Sequence, residues 1–138
     1  MPGFSDFSPV SVVVCDDVPE MRSVLQDVLS EDHSVTVLAE VGDGRDCVRK
    51  AAELQPNVLL LDLSMPGMDG LDAIPLIISI APHTGIIVFS GLGADNVEAL
   101  AMARGADLYI EKGTPLDELR RAVHQVALRR SRSAEAGA

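Results

Sequence analysis

Val58-Leu59-Leu60-Leu61-Asp62-Leu63-Ser64-Met65-Pro66-Gly67-Met68-Asp69-Gly70 decides the fold. Four apolar residues end on a carboxylate, and a Pro/Gly loop follows at once. A short continuous apolar run closed by such a loop reads as a strand buried on both faces. Asp62 is then held rigidly at the edge of a core. Its charge is costly there unless a cation or hydrogen bonds offset the lost hydration.

Working outward, Val10–Cys15 reads as a strand, and Met21, Val24, Leu25, Val28 and Leu29 recur at helical spacing, with Pro19 in the first turn. Ser34–Glu40 alternates as a strand, and Asp43–Leu54 is helical. After the Asp62 strand come a helix from about Leu71 to Ile80, a strand Gly85–Ser90 and a helix Asp95–Arg104. A strand Asp107–Glu111 and a helix Pro115–Arg130 complete the alternation. Pro75 is expected to distort its helix locally. Residues 1–9 read as a flexible N-terminus, 10–130 as one domain and 131–138 as a C-terminal tail.

Strands alternating with helices imply a parallel sheet covered on both faces. Val12–Val14, Val58–Leu61 and Ile86–Phe89 are continuously apolar, as central strands should be. Strands two and five carry Thr36, Glu40, Asp107 and Glu111, as edges should. The expected fold is therefore α/β and flavodoxin-like, a doubly wound five-stranded sheet in the order 2-1-3-4-5 with five helices, rather than the dinucleotide-binding order.

Composition narrows the function. The 138 residues are 47% apolar and carry a net charge of −10, so a phosphate backbone is repelled and direct nucleic-acid binding is disfavoured. Aromatic content is 3% with no Trp, which leaves no stacking platform for bases. Residues 117–138 carry five Arg against three acids, so the acidic excess lies in the folded body. Cys15 and Cys47 lack metal-site spacing and read as buried free thiols of a reducing cytoplasm. No apolar stretch has the length of a membrane span, and no signal-peptide pattern is present.

Ligands of such sheets bind beyond the carboxyl ends of the strands. Strand one ends in Asp16-Asp17, strand three in Asp62, strand four in Ser90 and strand five in Lys112. Gathered carboxylates call for a cation, and a hard, oxygen-seeking ion such as Mg²⁺ fits, with Mn²⁺ as its substitute. Lys112 and the Ser90 hydroxyl suit an anionic group. Together these are the parts of a phosphoryl-transfer site. Each has a plainer role alone: Asp16-Asp17 as a helix cap, Ser90 as a cap of helix four, Lys112 as a solvated charge. Four complementary strand ends favour the site.

At these residues the chain closely resembles the receiver domain of two-component response regulators, from Ser11 to about Arg130. The segments Asp43-Gly44-Arg45, Leu60–Pro66 and Glu111-Lys112-Gly113 look most like receivers of the NarL/FixJ (LuxR-type) subfamily. The resemblance implies that Asp62 accepts a phosphoryl group from a sensor histidine kinase. It implies that Asp17 ligates Mg²⁺ directly, Asp16 through water, with Asp62 and the Ser64 backbone carbonyl completing the set. Lys112 pairs with Asp62, and Ser90 and Tyr109 form the switch pair that reshapes the surface of helix four, strand five and helix five. It also implies weak autophosphatase activity rather than turnover of a substrate, a cytoplasmic location and, in many members, a C-terminal helix-turn-helix DNA-binding domain beyond a chain of this length. A homodimer could use helix one, helix five or the helix-four surface.

The chain departs from many receivers in having Gly113 after the lysine, where a cis proline is common; Pro115 comes two residues later. Gly91-Leu92-Gly93 lacks the third glycine of a dinucleotide loop and reads as a mobile switch loop. Arg129, Arg130 and Arg132 read as cations at a helix C-terminus, and His33, His83 and His124 as scattered residues without a ligand role. Two alternatives compete. A haloacid-dehalogenase-type aspartyl-phosphate phosphatase would need a second Asp two residues after Asp62, where Ser64 stands. A docking module independent of phosphorylation would not need the acidic set.

Overall fold

The computed structural model describes residues 8–91 and 95–137. The expectations for residues 1–7 and for 92–94 of the switch loop lie outside the described residues. The elements are β1 (Val10–Cys15), α1 (Pro19–Ser30), β2 (Val35–Val41), α2 (Gly44–Leu54) and β3 (Val58–Leu61), followed by α3 (Gly70–Ile80), β4 (Gly85–Ser90), α4 (Asp95–Arg104), β5 (Leu108–Glu111) and α5 (Leu116–Gly137). Among the described residues five parallel strands form one sheet in the order β2-β1-β3-β4-β5, as the apolar continuity of the inner strands requires.

Alternation along each strand divides the core in two. Val13, Cys15, Leu59, Leu61, Ile86 and Val88 point to the layer of α2, α3 and α4. Val12, Val14, Val58, Leu60, Ile87 and Phe89 point to α1 and α5, against Leu25, Leu29, Leu119, Val123 and Val126. Fully burying each such side chain contributes roughly 1.5–3 kcal/mol. Cys15 and Cys47 are free thiols buried in the first layer, and burial, with the neighbouring Cys47, pushes the Cys15 thiol well up.

Several local features depart from simple periodicity. The β1–β2 register slips between Val12, which pairs with Val37, and Val13, which pairs with Ala39. Leu38 is the extra residue, and it is exposed. The distortion expected at Pro75 does not interrupt α3. Its ring lies on an exposed face, where the carbonyl deprived of a donor can take water. Gln55 ends α2 at φ 46, and its side-chain amide donates to the carbonyls of Ala52 and Ile80, each at 3.0 Å. It thereby ties the ends of α2 and α3 together.

The last helix corrects the sequence reading. It runs on through 131–137 rather than ending at Arg130 in a tail, because Ser131–Ala136 contains no breaker and is rich in Ala, Arg and Glu. Its last turn is without basic residues, so the cations expected at its C-terminus are not there. Arg130 instead binds Asp107 at the start of the β5 segment, with Nε 3.0 Å from Oδ1 and Nη2 3.0 Å from Oδ2. Asp107 Oδ2 also accepts from the Ile86 N–H at 2.8 Å.

Candidate functional site

Parallel strands place the residues that follow β1, β3 and β5 on one edge of the sheet. The ladder continues past the strands: Asp62 N donates to Cys15 O at 2.9 Å, Asp16 N to Val41 O at 3.0 Å, and Lys112 N to Ser90 O at 2.9 Å. The backbones of Asp16, Asp62 and Lys112 are thus fixed by inter-strand bonds before their side chains do anything.

Asp16 and Asp62 are both buried. Asp16 Oδ1 accepts from the Val18 N–H at 2.9 Å. Its Oδ2 is enclosed without an aligned hydrogen-bond donor, although Lys112 Nζ stands 2.8 Å away. That contact is electrostatic rather than a well-directed bond. Asp62 Oδ1 accepts from the Ser64 N–H at 3.2 Å, and Oδ2 faces Lys112 Nζ at 3.1 Å. Burial raises the Asp62 pKa, and the Ser64 N–H and Lys112 only partly oppose it. Burial alone would lower Lys112, but its close contacts with the Asp16 and Asp62 carboxylates leave its pKa raised.

One ligand atom from each of Asp16, Asp17 and Asp62 lies within 4.8 Å of the others. The Lys112 ammonium meets two of these three carboxylates, those of Asp16 and Asp62. The under-satisfied Asp16 Oδ2 and the all-oxygen donor set fit a hard divalent cation, and the exposed Asp17 side would leave such an ion partly hydrated. Ser90, fully buried, ends β4. It is hydrogen-bonded to Tyr109, whose pKa is raised by burial and by the charges of Glu111 and Glu98. The structure thus gathers Asp16, Asp17, Asp62 and Lys112, and bonds Ser90 to Tyr109. Ser64 is exposed on the loop after Asp62.

The loop itself is held by close packing. A Cβ on Gly44 would lie 2.0 Å from Met68 O, so the first turn of α2 can press against residues 66–68 only as glycine. Gly44 N also donates to Pro66 O at 3.3 Å. After Lys112, Gly113 adopts φ +106, a conformation suited to glycine, and no cis peptide occurs among the described residues. Sequence reading overlooks Arg22, whose Nη1 donates to the Asp16 main-chain oxygen at 2.5 Å. Its signal was available: a cation in the first turns of a helix opposes the helix dipole and calls for a reason.

Fold and site together define a class of doubly wound signalling domains whose chemistry sits on one carboxyl edge. Residues 12–124 match the response regulator receiver domain family, and the chain belongs to that family. It is 32% identical over 123 residues to the nitrate/nitrite response regulator protein NarL of Escherichia coli, covering 89% of this chain and 57% of that protein. It is 44% identical over 109 residues to a protein-glutamate methylesterase/protein-glutamine glutaminase of Carboxydothermus hydrogenoformans, covering 76% of this chain and 30% of that one. The chain thus spans about half, or less, of the length of these relatives.

Among solved structures, the receiver domain of a NarL regulator from Mycobacterium tuberculosis superposes with a TM-score of 0.82 at 31% identity, covering 87% of this chain and 97% of that one. The response regulator domain of Thermotoga maritima CheB gives 0.81 at 31% identity, covering 86% and 96%. The chain is a receiver for phosphorylation-based signalling, similar to those of the NarL and CheB types. Receivers in general bind Mg²⁺, and the acidic cluster is present here. No helix among the described residues is long and apolar enough to cross a membrane.

Proposed function

We propose that Asp62 is the phosphoacceptor of a cytoplasmic two-component system, charged by a sensor histidine kinase. The observation that carries this is the buried Asp62 carboxylate, held between the Ser64 N–H and the Lys112 ammonium beside two further acids. In the transfer, an Asp62 oxygen bonds to phosphorus while the P–N bond of phosphohistidine breaks, and the imidazole keeps the electron pair and takes a proton. Asp17, Asp62 and the Ser64 carbonyl, with Asp16 through water, would hold a divalent ion, Mg²⁺ or Mn²⁺, which would supply charge neutralisation at the phosphoryl oxygens. Lys112 stays with the phosphoryl group as a fixed positive charge.

Ser90 and Tyr109 form the readout. The Ser90 hydroxyl follows the new phosphoryl oxygens, and the Tyr109 ring moves with it, biasing the surface of α4, β5 and α5 between two states. That surface addresses a homodimer partner or a C-terminal helix-turn-helix domain of the kind LuxR-type regulators carry.

The test is incubation with a divalent ion and a small phosphodonor, read by intact mass. One phosphoryl adduct is expected in the wild type and none in Asp62→Asn. An undiminished adduct in the variant, or none in the wild type, overturns the reading. Steady turnover of phosphate monoesters would instead favour the phosphatase.

A further inference from the structure

We infer that Arg22 is a positioning residue for the metal-site loop, acting across Gly42 on the peptide that joins Asp16 to Asp17. The inference rests on the divalent-ion reading of the acidic cluster. The β1–α1 loop needs such a device because its helix begins without a capping side chain: Val18 occupies the N-cap, and Pro19 follows. On the strand side the loop is held by Asp16 N to Val41 O, and inside the turn by Asp16 Oδ1 accepting from Val18 N. Neither bond fixes the plane of the Asp16–Asp17 peptide. The remaining group, the Asp16 carbonyl, is taken by Arg22 Nη1. A rotated peptide would swing the exposed Asp17 carboxylate away from Asp16 and Asp62, whose oxygens must converge on one ion.

Gly42 is the second, independent sign. A Cβ built on it would lie 2.7 Å from Arg22 Nη1 and 3.5 Å from Asp16 O. The guanidinium therefore rests against the bare backbone of the β2–α2 loop, and a methyl group there would push it off the carbonyl. Arg22 thus holds its place by shape, against a helix dipole that disfavours a cation so near an N-terminus. Its charge also works against a nearby cation. Geometry and electrostatics consequently make opposite forecasts: positioning means that losing Arg22 weakens ion binding, whereas charge repulsion means that losing it strengthens binding.

The experiment is calorimetric titration of Mg²⁺, with Mn²⁺ as a second ion, into the full chain of the wild type, Arg22→Ala, Arg22→Lys, Gly42→Ala and the Arg22→Ala/Gly42→Ala pair. Melting in EDTA monitors the fold of each. Arg22→Ala is expected to weaken ion binding about tenfold, as loss of a supporting hydrogen bond commonly does, with partial rescue in Arg22→Lys. Gly42→Ala should weaken binding in the wild-type background and add nothing once Arg22 is gone, because both act through one contact. Binding by Arg22→Ala that equals or exceeds the wild type overturns the inference. So does a Gly42→Ala effect of full size in the double variant. If Arg22→Ala does not fold, Gly42→Ala alone decides, since it displaces the guanidinium while keeping its charge: unchanged affinity overturns the inference. No ion binding by the wild type overturns the metal reading beneath it, a separate result.

Discussion

The Lys112 ammonium stands 2.8 Å from Asp16 Oδ2, an enclosed oxygen with no aligned hydrogen-bond donor. The same ammonium lies 3.1 Å from Asp62 Oδ2, so one cation spans two carboxylates from β1 and β3. Lys112 is thus the charge that makes the ion-free site tolerable. It also makes the site tense, because its geometry hydrogen-bonds Asp62 but leaves Asp16 Oδ2 without an aligned donor.

Replacing that cation exposes the debt. Lys112→Met leaves two buried carboxylates unpaired, and a buried pair broken from one side costs about 3–5 kcal/mol. Urea denaturation in EDTA should show a loss of that order, narrowing when Mg²⁺ is added. A midpoint equal to the wild type's would mean the ammonium does not compensate the acids.

Asp62 carries the opposite sign. Burial raises its pKa in the fold, so the folded state holds the proton more tightly than the unfolded state. Stability from this group therefore falls as pH rises from the unfolded carboxylate value through the raised folded value, and the deficit is complete above it. Asp62→Asn removes the ionisation. In EDTA at pH 7 the variant should be more stable by on the order of 1 kcal/mol, about 3–5 °C in Tm. The gain should fade below about pH 3.5, where both states of the wild type are protonated. A less stable variant at pH 7 would contradict the assignment.

At the far side of the domain, Asp32 meets His124 Nε2 at 2.8 Å and accepts a hydrogen bond from Ser34. Ser34 first and His124 next lower its pKa to about 2. For a depressed carboxylate, the stabilisation is present above the unfolded value and is lost as pH falls from about 4 through 2. Asp32→Asn should flatten the acid limb of a melting profile over that window. The pair is partly exposed, so the effect is at most about 1 kcal/mol. Identical acid limbs would show that the pairing is immaterial.

Asp107 fastens α5 to the sheet through Arg130 and caps the Ile86 N–H. Asp107→Ala removes charge-assisted bonds and strands a buried donor, for about 2–3 kcal/mol. Asp107→Asn keeps an acceptor for Ile86 and should lose less. Urea midpoints of the two variants rank the contributions, and equal losses would assign the effect to Arg130 alone.

What could be read in advance follows from what is local. Val58–Leu61 is apolar without interruption because both of its faces are covered, and that alone places β3 inside the sheet. Once strand order is known, Asp16, Asp62 and Lys112 must share an edge. The pairings of Arg130 with Asp107 and of Arg22 with the Asp16 carbonyl are another matter. Each depends on how a helix folds back against the strand before it, and neither leaves a periodic trace. The slip at Leu38 is hidden for a similar reason: Ser34–Glu40 alternates acceptably whether or not one residue bulges. The end of α5 went unread because Ser131–Ala136 can be helix or coil by composition, and no stop signal precedes Gly137.

Gly113 has nothing within 4 Å of where a Cβ would stand, yet its φ of +106 excludes ordinary side chains. Handedness rather than room keeps the position glycine. L-alanine there strains the turn that follows Lys112, whereas its mirror image does not. D-alanine placed at 113 by chemical ligation should fit the turn, restrict the unfolded chain and stabilise the domain by about 0.4–1 kcal/mol. Beside the Lys112 ammonium the chain thus holds a site whose selectivity is purely chiral.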